Sequence, residues 1–421
     1  MKRISILTFW GVANFGAWTQ AYALNKVIQE LSDNETVVEH IAYLEKSHSD
    51  MYYKKDIKLK NAFEYSWDEI SHTDVITEDE LERRTFDILC IGSDAVWELN
   101  PAFNDDMHLF GEKIHSRRMI SYAGSFGNIM ADNIPQKIKN VDFSKFDNIS
   151  VRDSNSGDII KKLTKRIPQL VVDPALLWDF KLDKNVKKTS FEKYILVYGV
   201  QWTDEYIYNA RKYAKEHGLK LISAGYINNW CDISLKLIEL RTLEWIGLFA
   251  GADRIYVSTF HGLMLGLNYE KDVTFCQVDY VKNRSQTLID KLGIEDEIFS
   301  FNKSINYAVV SKKLELMRNE SIDYLKENIL YKGVQILFPS KNIYGCVFLI
   351  FAKIYARKWL CQAVCGHNIF FIKKIWCGKW DLNPHTNTDW GTWGLPCLPE
   401  ETSFLYHEIK DFVRFQCGFF R

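Results

Sequence analysis

Ile4-Ser5-Ile6-Leu7-Thr8-Phe9-Trp10 is an apolar run that stops at Gly11 and gives way, after Gly16, to a helical pattern. The run predicts a buried strand over 4–10, and the bracketing glycines predict a tight turn. Beyond the turn, Trp18, Tyr22, Val27, Ile28 and Leu31 fall roughly on one helical face. Thr36 to Ile41 is strand-like again. Strand, glycine turn, helix, strand is the repeating unit of a parallel α/β sheet.

The unit recurs along the chain. Phe86–Ile91 ends at Gly92-Ser93-Asp94, and Arg118–Ala123 ends at Gly124-Ser125-Phe126-Gly127. Asn148–Val151 ends at Arg152-Asp153, and Leu170–Val172 ends at Asp173-Pro174. In parallel sheets, ligands sit at the carboxyl ends of strands, so these loops are expected to line a cleft. The polar, lysine-rich stretch 181–190 reads as a linker. A second series follows: strand Tyr194–Tyr198, helix Asp204–His217, strand Lys220–Ser223, helix Thr242–Ala250 capped by Thr242, and strand Arg254–Val257. Val273–Cys276 is a further strand, and Lys312–Leu330 closes the series as an amphipathic helix. The expected fold is α/β, with two Rossmann-like lobes (1–180 and 181–335) facing a cleft, and an extension (336–421).

The extension differs in composition. It holds six of the nine cysteines and five of the thirteen tryptophans, with 10 Lys and Arg against 6 Asp and Glu. Cys361-x3-Cys365-x-His367 and Cys377 do not fit paired metal knuckles, so buried or reactive thiols are the simpler reading. Ile343–Tyr355 is too short to span a bilayer. It suits either an interfacial helix that touches a membrane peripherally or the core helix of a small domain.

The whole chain has a formal net charge of -1, and nearly half its residues are hydrophobic. That excludes a disordered chain and argues against nucleic acid as a partner. No secretory signal or spanning segment is evident. The odd cysteine count without framework spacing suits a reduced, cytoplasmic setting.

Ile255-Tyr256-Val257 runs into Ser258-Thr259-Phe260-His261-Gly262. A histidine at a strand's carboxyl end can move protons near neutral pH, or can simply be held by backbone groups. Arg152 sits at such an end too. It can clamp a carboxylate or phosphate, or pair with Asp153 or a neighbouring acid. Asn14-Phe15-Gly16 can present backbone N–H groups to an anion, or only make the turn. Gly92-Ser93-Asp94 can cap a helix or line the site.

Taken in order, these motifs resemble the polysaccharide pyruvyl transferase family over residues 4 to 300. The resemblance rests on Asn14-Phe15-Gly16-Ala17 with Gln20–Leu24, Gly92–Trp97, Ser121–Gly127, Ser150–Asp153, Val172–Leu177, Glu244-Trp245 through Phe260-His261-Gly262, and Asn283-Arg284-Ser285. It implies two lobes similar to the two-lobe (type B) glycosyltransferases. It implies transfer of pyruvate from phosphoenolpyruvate, the donor substrate, to sugar hydroxyls of a surface or exopolysaccharide glycan, or of a lipid-linked sugar, as a ketal. It implies no metal and no organic cofactor. His261 would be the acid/base, with Arg152 and Arg284 as donor clamps. Asn14, Gly16, Gly92, Ser93, Asp94, Ser125, Ser258 and Thr259 would line the cleft. Several family members carry arginine where this chain has Thr259. A nucleotide-sugar glycosyltransferase or a non-catalytic glycan-assembly protein on the same architecture is the alternative.

Overall fold

The computed structural model of the protein describes residues 2–44, 46–54, 57–100 and 105–330. The extension 336–421, with its cysteine pattern and the run Ile343–Tyr355, lies outside the described residues. Two parallel sheets organise the remainder. The first holds β1 (Lys2–Leu7), β2 (Thr36–His40), β3 (Thr85–Ile91) and β4 (His115–Ser121) in the order β2-β1-β3-β4. Isolated bridges Ile120↔Asn148 and Gly124↔Val151 carry it on to β5 (Ser150–Val151), which pairs with β6 (Gln169–Leu170). The second sheet holds β7 (Tyr194–Tyr198), β8 (Lys220–Gly225), β9 (Ile233–Lys236), β10 (Arg254–Val257) and β11 (Val273–Phe275) in the order β11-β10-β7-β8-β9. Every pair of neighbouring strands is parallel.

Both orders reverse direction once. In the first sheet the chain builds outward on either side of the β1–β3 pair, and in the second on either side of β7–β10. These are topological switch points, where adjacent loops diverge and leave a crevice at the strands' carboxyl ends. β7 and β10, at the centre of the second sheet, are buried along their full length, with Arg254 their one charged residue among aromatic and aliphatic ones such as Ile195, Leu196, Val197, Ile255 and Val257. Burying each such Ile, Leu or Val contributes about 1.5–3 kcal/mol.

Several elements depart from the sequence reading for visible reasons. β1 stops at Leu7, because Thr8 turns into the crevice, where its hydroxyl donates to the Ser93 carbonyl (2.9 Å). Helix Phe15–Leu31 is buried on every side through Asn25, not on one face. It lies against both sheets' elements, with Phe15 stacked on Trp245 (4.8 Å) and the Tyr22 hydroxyl donating to Asp183 (2.8 Å). Stretch 181–190 is thus tied down, not loose. Its backbone passes Gly247 so closely that a Cβ there would lie 1.8 Å from the Lys187 carbonyl oxygen. Helix Thr242–Gly251 is capped by Arg241, whose N–H donates to Glu244 (3.1 Å). Thr242 itself donates to the Ser66 hydroxyl (2.9 Å). The closing helix spans Tyr307–Leu325 and ends in a π-helical turn, Lys326–Leu330.

Candidate active site

The loops at the two switch points meet. After β10, Ser258 fixes its neighbour loop: its hydroxyl donates to the Val200 carbonyl (2.6 Å) and accepts from the Val200 N–H (2.9 Å). Thr259 caps helix Phe260–Asn268, its hydroxyl accepting from the Gly262 N–H (3.2 Å). Both hydroxyls therefore shape the backbone around His261. After β1, Asn14 caps helix Phe15–Leu31 through its carbonyl oxygen, which accepts from Gly16 and Ala17. Its amide nitrogen donates to the Tyr52 hydroxyl (3.3 Å).

Gly16 is the seat of the histidine. A Cβ on it would lie 2.4 Å from His261 Nδ1 and 2.8 Å from Cγ. Its backbone is helical, so close approach, not torsion, reserves the position for glycine. The imidazole is 10 % exposed, and its Nε2 has no hydrogen-bond partner among the described residues. Asp173 Oδ1 lies 3.9 Å from that nitrogen. Burial pushes the His261 pKa below the usual histidine range, against the pull of Asp173 and Asp94 and with the push of Arg152 and Arg284. Burial thus favours the neutral ring, the form that can accept a proton.

Gly16→Ala should displace this ring. Overpacking of this kind lowers stability by about 1–3 kcal/mol, measurable as a shift of the urea midpoint. A midpoint matching the unsubstituted protein would contradict the contact.

Beside His261 stands a buried triad of charges. Arg152 Nη1 donates to Asp173 Oδ2 (2.6 Å) and Nη2 to Asp94 Oδ1 (2.9 Å), with 1 % of the arginine side chain exposed. Its guanidinium also lies over the Phe260 ring, 4.2 Å from the centroid. Of the two readings of Arg152, pairing with neighbouring acids is the one seen, though not with Asp153. That residue caps helix Ser154–Thr164 and accepts from Ser125 (2.6 Å). Each Nη group thus donates to a carboxylate, so Arg152 holds Asp94 and Asp173, while its Nε is buried with no hydrogen-bond partner among the described residues. Burial opposes the Asp94 charge, but Arg152, His261 and Arg284 outweigh it and hold its pKa down to about 2.

Asp94 has a left-handed backbone (φ 79°), and the preceding Gly92 stands at φ 119° with the Tyr122 carbonyl where a Cβ would go. Such sparsely populated backbone persists only where its surroundings enforce it. Gln20 does so here, its side-chain carbonyl accepting from both the Ser93 N–H (3.2 Å) and the Ser93 hydroxyl (2.6 Å). Ser125 is buried and serves the loop, accepting from Gly127 (3.1 Å).

Arg284 lies on helix Asp279–Leu292, stacked on Tyr280 at 3.9 Å and donating to the Tyr280 carbonyl. It makes no ion pair with a carboxylate among the described residues. It shares the lining of a cavity of about 20 Å³ with Arg152, Asp173 and Phe260. The structure therefore brings His261, Gly16, Asp94, Arg152 and Arg284 together. Ser125 and Ser258 stand behind them. Asp173 and Gln20 are the site residues the sequence reading did not select. Asp173's signals were the Asp-Pro following a strand and its place in the Val172–Leu177 motif, and Gln20's was its place at the head of the Gln20–Leu24 motif.

The fold and these residues can now be set beside known proteins. A family model described as polysaccharide pyruvyl transferase matches residues 14–280. The chain belongs to the polysaccharide pyruvyl transferase family. That family is one of transferases acting on polysaccharide, which implies a glycan acceptor. The match covers Asn14 through His261 and stops just short of Arg284. No curated protein matches the chain. Among solved structures, the Staphylococcus aureus MnaA–UDP co-structure is 13% identical over 77% of this chain and 91% of its own, with a TM-score of 0.42. Escherichia coli heptosyltransferase WaaC with ADP-2-deoxy-2-fluoro heptose is 10% identical over 67% and 91%, with a TM-score of 0.35. UDP-GlcNAc 2-epimerase from Neisseria meningitidis, bound to UDP-GlcNAc, is 11% identical over 78% and 100%, with a TM-score of 0.40. Likenesses this distant add nothing to the site of this family member. Among its described residues, no helix is long and apolar enough to cross a membrane.

Proposed function

We propose that this family member transfers pyruvate from phosphoenolpyruvate to two hydroxyls of one sugar in a cell-surface glycan, forming a ketal. The observation that carries the reading is His261 Nε2. It has no hydrogen-bond partner among the described residues, its ring is favoured neutral by burial, and it is held where the switch-point loops of both sheets meet.

The chemistry needs one proton moved onto carbon. A first acceptor hydroxyl gives its proton to His261, and the resulting imidazolium is stabilised by Asp173 and Asp94. That proton passes to the methylene carbon of phosphoenolpyruvate, which becomes the ketal methyl group. The first acceptor oxygen bonds to the central carbon. The bond from that carbon to the phosphate oxygen then breaks, a second hydroxyl oxygen bonds in its place, and its proton leaves with the phosphate. The reaction consumes no cofactor. The donor is a compact anion, and Arg284 is a guanidinium at the site that pairs with no carboxylate among the described residues. The N-terminal turn of helix Phe260–Asn268 adds backbone N–H groups suited to the same charge.

The test is to incubate the protein with phosphoenolpyruvate and a panel of glycans. Release of inorganic phosphate that depends on a glycan is expected, together with a new ketal methyl signal by NMR. Release of nucleotide from a nucleotide sugar instead would overturn the donor assignment. Tight phosphoenolpyruvate binding with no turnover on any glycan would overturn the catalytic one.

A further inference from the structure

A second polar cavity, of about 390 Å³, lies at the other end of the first sheet. The fold creates it. The neighbour of β4 first bonds it at Met119, whose carbonyl accepts from the Asp147 N–H (2.7 Å), so the earlier part of β4 has an open flank. Arg118 projects from that part, the segment leading into β6 brings Arg166, and β6 itself begins with Gln169. The π-helical turn Lys326–Leu330 supplies Glu327 and Asn328 as the remaining wall. Single π turns of this kind recur at functional sites.

The cavity's charges are not settled internally. Arg118 Nη2 donates to Asn328 (3.2 Å), while its Nε is shielded from solvent and has no partner among the described residues. Arg166 donates to the backbone carbonyls of Phe146 (2.6 Å) and Asp147 (2.7 Å). Neither guanidinium forms an ion pair with a carboxylate among the described residues, although Glu327 faces the same space. Two arginines with fork-shaped donors, flanked by Asn148 and Gln169, match the geometry of a planar or tetrahedral oxyanion.

We propose that this cavity binds a small, doubly charged oxyanion, a phosphate group or a dicarboxylate, at a site separate from the cleft. Four residues separate Asn148 from Arg152 and Gln169 from Asp173, a span of at most about 13 Å of extended chain, so the two sites lie at opposite ends of the short β5–β6 pair. The site does not depend on the pyruvyl transfer reading.

Calorimetric titration with inorganic phosphate, and separately with malonate, at constant ionic strength tests it and tells the two chemistries apart. Binding of at least one is expected in the unsubstituted protein and in Arg284→Gln, which disables the cleft's cation instead. Arg118→Gln should weaken it about 10-fold or more, the loss of a charge-assisted hydrogen bond. If Arg118→Gln does not fold, the exposed Gln169→Glu places a negative charge at the cavity and should weaken binding in the same way. No binding of either anion, or binding lost in Arg284→Gln but kept in Arg118→Gln and Gln169→Glu, would overturn the proposal.

Discussion

Arg152→Met is expected to lower the unfolding free energy by about 3–5 kcal/mol, because it strands two buried carboxylates without their cation. Methionine retains most of the side chain's length and its contact with Phe260, so the loss reports charge more than volume. The pH dependence separates this from simple misfit. In the unsubstituted protein Asp94 has a pKa of about 2, below an unfolded value near 3.9. A depressed carboxylate contributes stability that is complete above the unfolded pKa and fades as pH falls through the folded one. The gap between the two proteins should therefore narrow from about pH 4 towards pH 2. Urea unfolding across that range measures it. A gap that stays constant with pH would count against the charge triad as its source.

Removing the base should be as decisive for activity. His261→Ala is expected to slow glycan-dependent phosphate release by about 10²–10⁴-fold, the usual contribution of a positioned acid/base. The fold should persist, since the ring makes no hydrogen bond through Nε2 among the described residues and the cap of its helix, Thr259, is untouched. Near-normal turnover by a folded His261→Ala protein would remove the histidine from the chemistry.

Much of the second lobe could be read from residues alone. Helix Asp204–His217 is bounded by a Thr203 cap and by Gly218 in the left-handed conformation, both local signals. Strand Arg254–Val257 is a short apolar run bounded by polar residues. β9 gave no such signal: it is an edge strand, half-buried, preceded by a polar turn. β5 and β6 are two residues long, so their ladders were overestimated from longer apolar runs. His261 could be singled out because its placement is local. The partners of Arg152 could not, because Asp94 lies 58 residues away and Asp173 21. Which acid reaches an arginine is decided by sheet order, and sheet order is a property of the folded chain. The same holds for the burial of helix Phe15–Leu31: its outer face looked exposed until the second sheet's elements covered it.

The contact between Gly16 and His261 also bears on how this site would appear in a genetic screen. Alanine scanning finds residues by deleting what their side chains do, and it customarily skips glycine. Gly16 contributes an absence, a gap into which another loop's ring fits. Deep mutational data would show it as a position tolerating no replacement, with the smallest addition already harmful and severity rising with side-chain size. That graded intolerance, on a helix with ordinary backbone torsions, is the trace left by a residue selected for the room it leaves.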